Sequence, residues 1–392
     1  GWRWRGSTSG AVPLQAKKAR FGALQPTVPG SGHTMTLSPV FRSARAVQLL
    51  AEQGVWEGLA PDMEAQAEAV RTVYADLEDV IGERFRTDAP HVPTAAEVTT
   101  PEGLHFLQEY FFLILFRSIF GSLGVPAERL QCYSELNFCI KGTITAADNI
   151  FDDQAKSLLP LAEHAGARFM SILQLMSFER LLRGVLDRGA ERQVIGAEDV
   201  APIQRALIDR MAEIGVLEGS EEGGVDGIPT PDEMVEKVHR VRGGALFALA
   251  FAAPSVLESG EMGDRMARAE EAIARLGTAF QIVDDLTDFE FDVGRRSHNL
   301  LVAQIHHEGS SAEQAALAPL WEGAPVPAGV VEATFAHAAR AVLERAYAEA
   351  RAAFGTLQEL GHWFDPTLAD EVVHAIVGLE GVARMEALTA EG

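Results

Sequence analysis

The stretch Thr143-Ile144-Thr145-Ala146-Ala147-Asp148-Asn149-Ile150-Phe151-Asp152-Asp153-Gln154 decides how the chain is read. Its acidic residues stand at the end of an otherwise apolar, helix-like segment, where carboxylates are costly unless something positive binds them. On a helix Asp148 and Asp152 are i and i+4 and share a face, while Asp153 lies about 100° further round. This is half of a metal-binding geometry.

A second half stands 136 positions later, at Phe280-Gln281-Ile282-Val283-Asp284-Asp285-Leu286-Thr287-Asp288. Asp284 and Asp288 are again i and i+4, and the apolar run from Leu276 to Val283 leads into them. Like charges at that spacing destabilise an isolated helix. Two such faces turned toward each other would hold hard divalent cations through oxygen ligands, and Mg²⁺ held this way usually binds phosphate oxygens as well.

Around these clusters the pattern is helical from Leu37 onward, with Ala, Leu, Glu and Arg at three-to-four spacing, so an all-α fold is expected. The periodicity predicts helices near 37–53 and 61–85, separated by a break between Gly58 and Pro61, then a proline-containing loop over 86–101. An apolar helix follows over 103–123, and one over 127–155 carries the opening stretch. Further helices are expected near 161–188, 197–217, 231–258, 263–288 and through 311–388. Gly243-Gly244, in the middle of 231–258, predicts a kink or a close approach of backbone to ligand.

The 392 residues carry a formal net charge of −23, which argues against a nucleic-acid surface. An anionic substrate therefore needs a local positive charge, and a divalent metal supplies one. The apolar run Phe111 to Phe116 is ended by Arg117, well short of the roughly 20 residues a bilayer requires, so no transmembrane helix is expected. Cys132 and Cys139, the only cysteines, read as buried thiols of a reducing, cytoplasmic compartment. Residues 1–35 hold five basic and no acidic residues; they read as a disordered or artificially added leader, with residues 36–392 as one all-α domain.

Asp148-Asn149-Ile150-Phe151-Asp152 resembles the first aspartate-rich motif, and Phe280 to Asp288 the second, of the trans-isoprenyl diphosphate synthase (polyprenyl synthetase) family within the class I terpenoid synthases. Arg242-Gly243-Gly244-Ala245-Leu246-Phe247 looks like a third family stretch, with Arg242 in place of a diphosphate-gripping lysine. The resemblance covers about residues 100–300. It implies an isoprenoid synthase-type helical bundle around a deep apolar cavity. It further implies three Mg²⁺, or Mn²⁺, held by Asp148, Asp152, Asp153, Asp284, Asp285 and Asp288 on the diphosphate of an allylic prenyl substrate. Asp148, Asp152, Asp284 and Arg242 would carry the ionisation. Arg242, Lys237, Gln281, Arg295 and Arg296 are the candidates for gripping diphosphate. Phe138, Thr143, Gly243, Gly244, Phe247, Phe251 and Phe280 are those for lining the cavity. A homodimer is implied too.

The pattern departs from the family in three places. Asn149 stands where an aspartate is usual, no arginine pair follows the first motif, and no Gly-Gly-Lys-Arg stretch precedes it. Without those cations a second diphosphate has little to bind it. The expectation is therefore a terpene cyclase acting on one prenyl diphosphate. The alternatives are a polyprenyl diphosphate synthase elongating with isopentenyl diphosphate, and a non-catalytic regulatory subunit of such a synthase.

Overall fold

The computed structural model describes residues 50–151, 156–163, 166–220 and 224–364. The expected helix over 37–53 and the end of the expected 311–388 region lie largely outside them, as do residues 1–35. The described chain is all-α: no β-strand forms among these residues, and the only extended pairing is an isolated bridge between Arg86 and Leu161.

The first long helix, α1 (Val55–Val80), repeats buried Val55, Leu59, Met63, Ala67, Val70, Tyr74 and Leu77 at three-to-four spacing. It runs without interruption through Gly58 and Pro61, where a break was expected. Pro61 falls within the second turn, and a Cβ on Gly58 would sit 2.6 Å from the Trp363 ring. That glycine makes room for a ring and does not end a helix.

Helix α2 (Pro101–Leu123) starts on a proline and ends at Gly124, whose φ of 95° is the left-handed cap that glycine adopts at least cost. It is apolar almost all round. Of the described helices it alone is long and apolar enough to cross a membrane, yet 72% of its apolar window is buried inside the fold. Its place is the middle of the bundle, packed against α1 and α3 (Ala127–Phe151). Tyr110 interrupts it with non-helical φ −119° and ψ 19°.

Helix α3 packs along α4 (Ala167–Glu191), and α5 (Val200–Ser220) follows. The expected helix over 231–258 opens with a Thr230–Glu233 capping box and then winds as a π-helix over Met234–Gly244. It returns to α-geometry at Ala245–Ala248, and Pro254 begins a separate turn. The π segment crosses α6 (Gly260–Thr287). Beyond it come α7 (Phe289–Arg295), α8 (Leu300–Glu308), α9 (Ser311–Trp321) and α10 (Ala336–Glu359), the last lying along α6.

After α10 the chain folds back onto α2. His362 is 4% exposed and its Nε2 lies 3.3 Å from Ser118 Oγ. Burial pushes its imidazole down from the ordinary 6.5 to about 4. The unfolded chain therefore takes up this proton first as pH falls. The stability contributed by neutral His362 is complete above pH 6.5 and is lost progressively toward pH 4, up to about 3 kcal/mol. Urea denaturation from pH 7 to 4.5 is expected to show this loss, and His362→Gln to flatten it. An equal pH slope in the two proteins would refute the assignment.

Candidate functional site

At the end of α3, Asp148 is exposed and Asn149 is buried. The Asn149 Nδ2 donates to Lys156 O at 2.7 Å, and its Oδ1 accepts from Lys156 N at 3.1 Å. Gln174 of α4 continues the clamp by accepting from Leu158 N at 2.8 Å. A carboxylate could accept but could not donate to the Lys156 carbonyl. The asparagine that breaks the acidic pattern thus fastens the chain as it leaves the helix. Asp152 and Asp153 lie outside the described residues.

The second cluster straddles the junction of α6 and α7. Asp284 is partly exposed and accepts from Gln281 Nε2 at 3.2 Å, while Asp288 is exposed at the helix boundary. Asp285 behaves differently. It is 2% exposed, and its Oδ2 accepts from Leu300 N at 2.5 Å and stands 2.8 Å from His239 Nε2. Asn299 donates from one amide nitrogen to Asp285 O at 2.7 Å and to Asp292 Oδ2 at 3.0 Å. Asp285, expected among the metal ligands, is instead a buried tie between α6, the π segment and α8.

Asp292 was not expected in the site. It stands at i+8 from Asp284 and i+4 from Asp288, and the chain stays helical between them through Asp292 N donating to Asp288 O. Burial, then the charge of Asp285, raise its carboxyl from 3.8 to about 7; Asp288 adds to the rise, while the Asn299 bond and Arg242 oppose it. Three aspartates at four-residue intervals were visible in the sequence, but nothing there showed that the third is drawn inward.

The structure brings Arg242 to this cluster. Its side chain is 16% exposed, its Nε donates to Glu218 Oε1 of α5 at 2.5 Å, and its charge reaches Asp292. Lys237, in contrast, is exposed and paired with Glu233 at 2.7 Å. Arg295 lies over the Phe291 ring at 4.8 Å. Arg296 adopts a left-handed φ of 56°, donates to Val225 O at 3.1 Å and sits over Trp321. These three residues were expected to grip diphosphate; in the structure their side chains are engaged in local contacts.

Gly243 and Gly244 serve packing, and neither lines the cleft between α2, α3 and the turn Leu246–Ala250. A Cβ on Gly243 would fall 2.5 Å from Gly277 O, and one on Gly277 would fall 2.2 Å from Gly243 O. The two backbones therefore cross at a distance only glycine permits, which carries His239 to Asp285. The expected irregularity is present as π winding, a form frequent at functional sites.

Between α2, α3 and the turn Leu246–Ala250 lies a cleft of about 170 Å³. Phe112 and Phe247 line it with ring centroids 4.7 Å apart, and Phe280 stands edge-on to Phe112 at 5.2 Å. Thr145, a lining residue, is nearly one turn before Asp148, so the first acidic cluster follows from a wall of the apolar space; Phe280, one turn before Asp284, packs against the lining residues Phe112 and Phe247 without lining the cleft itself. Phe138 and Phe251 do not line it: both are fully buried, Phe138 edge-on to Tyr74, Tyr110 and Phe178, and Phe251 edge-on to Phe120. Nor does Thr143, whose hydroxyl donates to Cys139 O at 3.0 Å. Glu109 and Lys141 line it and had been missed, although a carboxylate inside the most apolar helix was a signal in plain view.

Asp148, Asp284 and Asp288 are hard oxygen donors of the kind Mg²⁺ takes. Among the described residues, however, no three acidic, His or Cys groups converge into a metal cluster.

No protein-family model matches the chain, and no curated protein matches it by sequence. Its fold is similar to that of a decaprenyl diphosphate synthase from Rhodobacter capsulatus, with TM-score 0.51 at 19% identity over 85% of this chain and 98% of that one. A geranylgeranyl pyrophosphate synthetase from Pyrococcus horikoshii Ot3 gives TM-score 0.51 at 13% identity over 82% and 97%. A geranylgeranyl pyrophosphate synthase from Lactobacillus brevis gives 0.51 at 13% over 80% and 95%. The chain has the all-α isoprenyl diphosphate synthase fold.

Proposed function

We propose that this protein ionises an allylic prenyl diphosphate with the help of Mg²⁺. The observation that supports the reading is the aromatic cleft itself: Thr145 of its lining leads within a turn to Asp148, Leu246 of its lining follows Arg242 by about a turn, and Phe280, packed on the lining rings of Phe112 and Phe247, precedes Asp284 by a turn. Bound Mg²⁺ would supply Lewis-acid stabilisation of the leaving diphosphate. Asp148, Asp284 and Asp288 would hold it, with Asp152 and Asp153 as further ligands. Arg242 offers a planar fork for diphosphate oxygens, and the Phe112–Phe247–Phe280 group shields an allylic cation from water.

The neighbours in fold are named as prenyl diphosphate synthases, and chain elongation with isopentenyl diphosphate is accordingly placed first. This reverses the order that the missing arginine pair suggested. Cyclisation or hydrolysis of a single prenyl diphosphate is the second reading. Lys141, a cation on the cleft wall, is already paired with Glu109 at 3.1 Å, which weakens it as an anchor for a second diphosphate.

Incubation with Mg²⁺ and geranyl, farnesyl or geranylgeranyl diphosphate, with and without isopentenyl diphosphate, separates the two. Longer prenyl diphosphates formed only with isopentenyl diphosphate are the expected result of elongation. Hydrocarbon or alcohol released without it is that of the second reading. Folded protein that releases no diphosphate under either condition would reject both.

A further inference from the structure

Asn137, Lys141 and Thr145 stand at four-residue intervals on the side of α3 that borders the aromatic cleft. Lys141 is already engaged, by Glu109 at 3.1 Å and by the Tyr110 ring 5.5 Å from its Nζ. Asn137 differs: it is 5% exposed, and its amide has no hydrogen-bond partner among the described residues. The amide is nevertheless not sealed inside protein, as the orphaned oxygens of Gln66 and Glu109 are, so it opens onto a space that Asn137 borders. There are two such spaces. The smaller, of about 10 Å³, is at the lower limit for a single water, and Tyr133, the other polar side chain beside it, donates its hydroxyl to Glu258 at 2.7 Å. The cleft, of about 170 Å³, has room for a partner.

A buried amide without a partner costs stability, and an apolar side chain of similar volume would avoid that cost. Packing alone therefore gives no reason for Asn137. We infer that the deep end of the cleft binds a neutral oxygen atom through the Asn137 amide: a hydroxyl on the tail of the prenyl diphosphate, or a water held against that tail. This rests on the proposed ionisation of a prenyl diphosphate. It holds for elongation and cyclisation alike, because it concerns the tail and not the reacting carbon. Asn137 is eleven residues before Asp148, which is three turns and about 16 Å of helix, so it shares a face with the acidic mouth and lies at the far end of it. An amide both donates and accepts, which suits a hydroxyl or a water. Charge is not what this end of the cleft selects, since Lys141, one turn nearer the mouth, is neutralised by Glu109. A tail of pure hydrocarbon reaching this depth would cover the amide and leave it unpaired.

The experiment compares wild type, Asn137→Leu and Asn137→Gln. Geranyl, farnesyl and geranylgeranyl diphosphate are each assayed beside an analogue with a hydroxyl on the terminal carbon, and kcat/KM is read from diphosphate release. In Asn137→Leu the ratio of kcat/KM for the hydroxylated over the plain substrate is expected to fall about tenfold or more at one chain length at least, because the pairing amide is gone. Asn137→Gln, which keeps an amide, should stay nearer the wild-type ratio. A wild-type ratio above one assigns the oxygen to the substrate tail; a ratio at or below one, lowered further in Asn137→Leu, assigns it to a held water. Asn137→Leu is also expected to melt at or above the wild-type temperature. Equal ratios in wild type and folded Asn137→Leu at all three lengths overturn the inference, as does a large loss of melting temperature, which would show the amide to be held by the protein. Wild-type protein that releases no diphosphate from any substrate rejects the parent reading, and this inference with it.

Discussion

Asp284→Ala is expected to lower turnover by about a thousandfold while leaving the protein folded. Asp284 is partly exposed, one turn beyond Phe280, and accepts from Gln281 of its own helix. Truncating such a residue removes no core volume, and its effect on stability should stay within about 0.5 kcal/mol. Its effect on chemistry is of another order, because in the proposed mechanism Asp284 would hold Mg²⁺, and stabilising the charge that develops on the leaving group contributes about two to three powers of ten to rate. Asp148→Ala, in the first acidic stretch, should behave alike. Diphosphate release and thermal unfolding of the same preparations decide the matter. Wild-type turnover in both variants would remove the acidic clusters from the proposed mechanism.

Its neighbour in sequence is predicted to do the reverse. Asp285→Ala leaves Leu300 N without its acceptor, and leaves His239 buried with neither ring nitrogen paired, since Nδ1 already has no partner. Breaking a buried charged tie by removing one side costs about 3–5 kcal/mol. That is a large share of the roughly 5–15 kcal/mol that typically holds a domain together. The expected outcome is a strongly lowered urea midpoint or loss of soluble protein. Asp285→Asn, which can still accept from Leu300 N, should be milder. An Asp285→Ala protein with native stability but no activity would return Asp285 to the metal ligands.

The contrast between adjacent aspartates shows where sequence reasoning reached its limit. Spacing puts Asp284 and Asp288 at i and i+4, but a helical period says only that Asp285 is rotated about 100° away. It does not say whether water or protein lies there. Asn149 is a similar case: beside acidic residues it reads as a weakened ligand, and only the fold shows that Lys156 offers it one donor and one acceptor. Arg295 and Arg296 were attractive as cations near a diphosphate. A left-handed turn and two aromatic rings hold them elsewhere.

By itself the sequence determined the all-α class, the long helices and the two acidic stretches that begin where apolar helix faces end. These follow from local periodicity, composition and charge cost, which neighbouring residues settle among themselves. Only the tertiary structure decided which side of each helix is covered. It made Gly243 a crossing point, sent Phe138 and Phe251 to the core, drew Asp285 and Asp292 inward, and paired Glu109 with Lys141 across 32 positions of chain. Burial and pairing depend on partners distant in sequence, and a helical period alone does not name them.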